Sequence, residues 1–286
     1  MTARRGGVDR GEYSRERTAA SRAPLTGPGT SGKLPRMAED PRYHIGVKRG
    51  QLGEYVLMPG DRDRVRRIAK HLKRARLVKE NREYVSMTGT LEGVAVTVMS
   101  SGMGSPAVAI GVEELRTVGV HTIIRVGTTG AIGPGPRLGD SIIALGAVRS
   151  EGTSTSYVDL SYPAVADLEV TEALRRAARE AKQPYHVGII ESSDAYYAGD
   201  WLGDAALPHA EAMRRAGVLA IEMEASALFT VGRLRGIRTG CILALREEWT
   251  RDGKRRQAGA RFEAGLERTI GIAVEAVRIL IRESAR

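Results

Sequence analysis

The sequence has one cysteine, Cys241, in 286 residues. That excludes an intrachain disulfide framework and any cysteine-based zinc cluster. No uninterrupted apolar run reaches about 18 residues, so no membrane-spanning helix is expected. The first residues lack the apolar core of a secretion signal, and no internal repeat is visible. A hydrophobic content of 42% with 27% charged residues rules out disorder throughout. What stands in excess is positive charge. The formal net charge is +10, a balance that by itself suggests a nucleic-acid partner.

The charge is unevenly placed. Residues 1–36 hold eight Lys and Arg against three Asp and Glu, a net +5. This segment is rich in Gly, Ser, Thr, Pro and Arg and has no sustained apolar period, so it reads as a disordered tail. Met37 opens a regular sequence and is a candidate true start. The tail contains GPGTSGKL at Gly27–Leu34, close to a phosphate-cradling loop. Leu34 stands where that motif needs a magnesium-binding hydroxyl, no strand precedes it, and Pro35 follows where a helix should begin, so an ATP site is excluded.

From residue 37 to 286 the pattern alternates strand and helix. Apolar runs predict strands at Tyr55–Met58, Tyr84–Leu91, Val94–Ser100, Thr122–Val126, Ser141–Val148, Tyr185–Ile190, Leu219–Met223 and Thr239–Leu245. Glu92-Gly93 is a hairpin signal. Asp61 can cap a helix whose face carries Val65, Ile68, Ala69 and Leu72. Helices are also expected at Ser105–Val118, at a stripe from Val170 to Ala181, at Ala225–Leu234 and along a C-terminal stripe from Leu266 to Ile281. This is one α/β domain with helices on both faces of the sheet.

Ligands of such sheets bind beyond the carboxyl ends of strands, and three strand ends carry suggestive residues. Pro59–Arg64 puts a Gly at a strand-to-helix turn beside Arg64. This suits an anion at a helix N-terminus, or a capped turn with solvated arginines. Ile124–Gly130 places Arg125 inside an apolar strand, just before a Gly/Thr turn. A charge there must be paired, by an oxyanion or by a buried carboxylate. Ile221–Ser226 carries Glu222 and Glu224, which would converge on one side of a strand. They suit diol recognition, general acid/base work, or a helix N-terminus. Together the three ends suggest a substrate with phosphate and polyhydroxyl groups.

Several stretches resemble a known family. They are Tyr43–Gly46, Pro59–Arg64, Asn81–Tyr84, Ser101–Pro106, Glu113–Leu115, Ile124–Ile132, Tyr162–Asp167 and Glu222–Ala225. In this order they resemble the nucleoside phosphorylases, the family of uridine phosphorylase, the hexameric purine nucleoside phosphorylases and the archaeal methylthioadenosine phosphorylases. The resemblance implies a single-domain three-layer α/β/α sandwich around a mixed central sheet. It implies a cytoplasmic pentosyltransferase in which phosphate attacks C1′ of a nucleoside to give ribose 1-phosphate and free base. Gly60, Arg64, Arg125 and Thr128 would hold phosphate. Arg82 would reach phosphate in a neighbouring subunit's site, and His44 that neighbour's ribose. Glu222, Met223 and Glu224 would line the ribose, with Glu224 taking its 2′- and 3′-hydroxyls. Arg125 and Glu224 would be catalytic. No metal or organic cofactor is implied; phosphate is a co-substrate. The partners are nucleoside and phosphate, with no nucleic acid and no membrane. The expected assembly is a homohexamer built as a trimer of dimers, with sites shared across the dimer interface.

The base end departs from the uridine enzymes. Tyr196 stands at the family's base-stacking aromatic. Asp200 and Leu202 replace the Gln and Arg that read uracil, and an ionised Asp accepts hydrogen bonds only. Purine phosphorylases have an Asp that protonates the leaving purine where this chain has Glu247, so Glu247 is a third candidate catalytic residue. Alternatively, Arg246–Glu248 would form an exposed charged turn. The leading expectation is a uridine-phosphorylase-like enzyme. The alternatives are a purine nucleoside or methylthioadenosine phosphorylase, a nucleosidase using water, and a non-catalytic nucleoside- or phosphate-binding protein. Cys241 is expected as a buried small residue, and His71, His121, His186 and His209 as structural or solvated.

Overall fold

The run Tyr55–Met58 is strand β1, buried along its whole length. In this computed structural model the described residues are 43–132, 135–198, 203–249, 255–257 and 259–285. The expected tail at 1–36, and with it Met37, lies outside them, as do Asp200 and Leu202.

β1 pairs in parallel with β4 (Val94–Met99) on one side and β5 (Thr122–Ala131) on the other. β3 (Tyr84–Leu91) runs antiparallel to β4, and β2 (Lys73–Asn81) antiparallel to β3 at the edge. The β3–β4 turn has positive φ at both Glu92 (49°) and Gly93 (81°), the backbone that two-residue hairpins require. Across β5 lies β10 (Arg238–Trp249), parallel to it and antiparallel to β6 (Ser141–Ser150). β6 pairs in parallel with β8 (Tyr185–Ser193), β8 in parallel with β9 (Ala220–Glu222), and β9 antiparallel with β5. The path β5–β10–β6–β8–β9 therefore returns to β5 and closes. Short strands β7 (Ala164–Val165) and β11 (Arg255–Gln257) join β6 and β10. The sheet is mixed, as expected; its closure was not foreseen.

Six helices flank it among the described residues: α1 (Arg62–Ala69), α2 (Ser105–Thr117), α3 (Leu168–Glu180), α4 (Leu207–Arg215), α5 (Ala225–Leu234) and α6 (Ala260–Ser284). One apolar layer joins α1, α3 and α6 through Val65, Leu174, Ile270 and Val277 to Ile124 and Val126 of β5. A second joins α2 and α5 through Val112, Leu115, Leu228 and Phe229 to Ile123, Cys241 and Leu243. Alternation along β5 thus turns Ile124 and Val126 one way, and Ile123 with its neighbour Arg125 the other. The α/β/α layering places Arg125 on the α2/α5 side. Among the described residues no helix is long and apolar enough to cross a membrane.

Candidate active site

Arg125 is 4% exposed, and its charge is met by two carboxylates. Nε donates to Glu222 Oε2 at 2.8 Å, and Nη2 pairs with Glu224. The buried carboxylate that the sequence offered as one partner is thus supplied twice, by Glu222 and Glu224. Glu222 is fully engaged. It accepts the backbone N–H of Glu224 at 2.9 Å and of Ala225 at 2.9 and 3.1 Å, capping α5, and takes the Ser192 hydroxyl. Glu224 turns the other way and accepts the Gly104 N–H at 2.6 Å, where α2 begins. One guanidinium thus faces two helix N-termini bridged by two glutamates, each carboxylate favoured by the nearby N–H groups.

The charges perturb one another. Burial pulls the Arg125 guanidinium down, but Glu224 and Glu222 outweigh it and hold it well above its ordinary value. Burial raises the Glu224 carboxyl above the usual range, against the pull of Arg125 and with a push from Glu222. Gly127 is required here. A Cβ on it would fall 2.8 Å from Arg125 Nη2 and 2.6 Å from Leu243 Cδ2.

Arg64 approaches from the first turn of α1, whose N-cap Asp61 accepts the Asp63 N–H at 2.8 Å. Its Nη1 donates to the Val126 carbonyl at 3.3 Å and its Nη2 lies 4.0 Å from Asp61. Its Nε is buried with no hydrogen-bond partner. Burial pushes this guanidinium down to about 10; Asp61 opposes the drop and Arg125 adds to it. Gly60, at the turn between β1 and α1, shares its carbonyl with the Gly102 N–H at 3.1 Å. A Cβ on Gly60 would lie 3.9 Å from Arg125 Nη1. Met58 and Arg125 are register partners, so Gly60, Arg64 and Arg125 gather at the carboxyl ends of two adjacent parallel strands, with Thr128 three residues further along β5. Two neighbouring guanidiniums, one with an unsatisfied buried donor, suit an oxyanion.

The base-end candidates also meet. The Tyr196 hydroxyl donates to Glu247 Oε1 at 3.0 Å. Glu247 is buried in β10 opposite Gly130, just after a register shift at Arg246; such bulges re-aim side chains beside active sites. The exposed charged turn considered for Arg246–Glu248 is not found, because all three residues belong to β10 and Glu248 accepts the Leu138 N–H at 3.0 Å. The Tyr196 ring remains largely exposed, edge-on to Tyr197 at 4.9 Å. Met223 lies between the two glutamates, its carbonyl held by the Ser105 hydroxyl at 3.0 Å.

His44 and Arg82 form a separate group. His44 Nδ1 is 2.7 Å from Glu114 Oε1, and the same carboxylate takes the His44 and Ile45 N–H groups. The Arg82 guanidinium donates to the Tyr43 hydroxyl at 3.2 Å and lies over its ring at 5.2 Å. Asn81 ties the two by donating to the Tyr43 and His44 carbonyls. Among the described residues no hydrogen bond or ion pair joins this group to Arg64, Arg125 or Glu224.

Sequence reasoning missed Gly104, Glu114, Gly127 and Ser192. The first three lie inside the resembling stretches without an assigned role. Ser192 carried no local signal, since its task is to hold Glu222, 30 residues away.

Residues 54–278 match the family described as the phosphorylase superfamily. The chain is 42% identical to the uridine phosphorylase of Thermococcus kodakarensis over 87% of its own length and 90% of that protein's. It is 40% identical to the guanosine phosphorylase of Halorubrum lacusprofundi over 72% of its length and 82% of that protein's. A crystal structure of Vibrio fischeri uridine phosphorylase, complexed with 6-hydroxy-1-naphthoic acid, superposes with a TM-score of 0.76 at 33% identity, covering 84% of this chain and 97% of that one.

Proposed function

The chain belongs to the phosphorylase superfamily, and we propose that it is a uridine-phosphorylase-like nucleoside phosphorylase, a pentosyltransferase. The reaction cleaves the N-glycosidic bond of a nucleoside with inorganic phosphate, giving free base and ribose 1-phosphate. The observation that carries this reading is the juxtaposition of Arg64 with the Arg125–Glu224 pair. An arginine with an unsatisfied buried Nε stands beside an arginine bound to a carboxylate.

The chemistry follows from the charges. Phosphate would lie between Arg64 and Arg125, with Gly60 allowing close backbone approach and Thr128 adding a hydroxyl. Glu224, fixed by Gly104 and Arg125, would accept the two ribose hydroxyls and orient C1′ for attack. Met223 would pack on the sugar. As the glycosidic bond breaks, C1′ acquires oxocarbenium character, as in glycoside hydrolysis, and the adjacent phosphate dianion stabilises it. Glu222, spent on Arg125 and the start of α5, acts as a positioning residue. Phosphate is the co-substrate, and the reaction needs no metal or organic cofactor.

His44 and Arg82 would complete a neighbouring subunit's site, reaching its ribose and phosphate across a dimer interface of a homohexamer. A cytoplasmic location belongs to the same reading, as does the assignment of residues 1–36 to a basic tail outside the catalytic domain. A second reading, a purine nucleoside or methylthioadenosine phosphorylase with Glu247 as acid to the leaving purine, draws support from the burial of Glu247 beside Tyr196. Asp200 enters either reading as a base contact.

The test is base release from uridine, inosine, adenosine and methylthioadenosine, each with and without phosphate. Phosphate-dependent release with ribose 1-phosphate as product is expected for uridine. Release at equal rate in phosphate-free buffer would make the protein a nucleosidase, and binding without turnover a sensor.

A further inference from the structure

We propose that His209 is a positioning residue for the base end of the site. Through the buried carboxylate of Glu191 it fixes the start of α4, and with it the chain that leads from β8 past Tyr196. The proposal rests on the reading of this site as a nucleoside site and deepens it by naming a residue that holds the base end without touching the substrate.

Glu191 stands in β8 with Val148 and Ile221 as its register partners on either side, a place that an apolar side chain would fill. It is 2% exposed. A carboxylate so placed needs a partner, and His209 supplies it. The imidazole Nε2 lies 2.7 Å from Glu191 Oε1, while the ring itself stays mostly exposed. The helix depends on the contact as much as the carboxylate does. None of the nine residues of α4 is buried, and no side chain caps its N-terminus. Its Glu211–Arg214 ion pair stays within the helix. Among the described residues, His209–Glu191 is the one side-chain hydrogen bond or ion pair that leaves α4. Such a bond is directional, so it gives α4 a single seat where apolar contact would allow several.

That seat lies in line with the base end. Glu191 is opposite Ile221, Ile221 opposite Gly130, and Gly130 opposite Glu247. These register partners form one row across β8, β9, β5 and β10, with their side chains on one face. Ile221 Cγ2 and Glu247 Oε2 each lie 3.8 Å from where a Cβ on Gly130 would be. Three strand spacings separate the ends of the row, ~14 Å along the sheet. Each end carries a buried glutamate, and the connection leaving β8 engages both: the Tyr196 hydroxyl donates to Glu247 at 3.0 Å, and His209 meets Glu191. With His209 in place, the chain after Tyr196 is pinned at the first turn of α4. Without it, the next tie to β8 among the described residues is the Leu219 N–H, which donates to the Ile189 carbonyl at 2.9 Å beyond the far end of the helix. A longer free connection has more conformations to lose, so Tyr196 is held less firmly against Glu247.

The test compares the full-length wild type with His209→Ala, Glu191→Leu and His209→Gln. In the first two variants KM for the nucleoside cleaved, uridine or inosine, should rise about tenfold, while kcat and KM for phosphate stay within about twofold. Amide hydrogen exchange in α4 should quicken at least about tenfold in both, with exchange in α5 unchanged. His209→Gln keeps an N–H donor and should restore most of both properties. Glu191→Leu replaces a buried charge by an apolar side chain between Val148 and Ile221 and should melt no lower than the wild type, so a weaker hold on nucleoside there is not a loss of fold. Unchanged exchange in α4, an unchanged nucleoside KM, or values for nucleoside and phosphate that rise together would overturn the proposal. A wild-type protein that binds uridine and never turns it over would instead end the phosphorolysis reading. Calorimetric uridine affinities of the same variants would then decide the role of His209, a fall in His209→Ala and Glu191→Leu supporting it and equal affinities refuting it.

Discussion

Arg125 Nε donates to Glu222 Oε2 at 2.8 Å, across 97 residues of sequence and with both side chains almost wholly buried. This bond sets the direction of the guanidinium. It leaves Nη2 for Glu224 and turns Nη1 toward Gly60. The candidate phosphate and ribose contacts are therefore mechanically joined: one side chain faces the anion site and grips the residue assigned to the diol.

Replacement of Arg125 should separate stability from chemistry. Arg125→Ala strands two buried carboxylates and is expected to lower stability by about 3–5 kcal/mol, read by urea unfolding. Arg125→Lys keeps a charge but cannot fork between Glu222 and Glu224. It should remain folded while phosphorolysis falls at least about a hundredfold. A lysine variant with near wild-type kcat/KM for phosphate would refute the clamp.

Arg64 should trade stability for function. Its buried Nε lacks a partner, a defect worth about 1–3 kcal/mol. Arg64→Met removes that atom and is expected to raise the melting temperature of the phosphate-free protein. The same variant should lose the rise in melting temperature that phosphate gives the wild type. If phosphate stabilises both proteins equally, Arg64 does not hold it.

The pH dependence has two limbs. Glu224 is held above the usual carboxylate range by burial, so its ionised form is lost early as pH falls. The kcat/KM for nucleoside should decline on the acid side at a pH above that of an ordinary glutamate. Arg64 is pushed down to about 10, so phosphate affinity should decline as pH rises through about 10. Its effect on folding has the opposite sign. A depressed cation destabilises the fold while charged, and that cost is relieved as it deprotonates. A flat acid limb in a full pH profile would contradict the assignment of Glu224.

Subunit mixing tests the shared site. His44→Ala and Arg64→Ala homomers should each be nearly inactive. Co-assembled after joint refolding, they should regain up to about a quarter of wild-type activity, because one site of each mixed dimer is intact. If His44 serves its own subunit's site, mixing will restore nothing.

The sequence by itself determined the alternation of strands and helices, because apolar runs, helical stripes, Asp61 as a cap and Glu92-Gly93 as a turn are local signals. It also placed Gly60, Arg64, Arg125, Glu222 and Glu224 at strand ends, where an α/β sheet binds ligands. It did not reveal β2, an edge strand whose side chains are mostly exposed and charged, since apolar alternation is what a strand pattern reads. Nor did it reveal the closure of β9 onto β5, which depends on the register of two segments about 90 residues apart. Whether Arg125 met an anion or a carboxylate was equally open, because a buried charge states only that it needs a partner. Tertiary structure supplied the carboxylates, Glu222 at its Nε and Glu224 at its Nη2, and left Nη1 turned toward Gly60. In the same way it set Tyr196 against Glu247, and tied His44 and Arg82 together through Tyr43 and Asn81. Spacing along the chain fixes which face a side chain takes, but only the packed sheet decides what stands opposite.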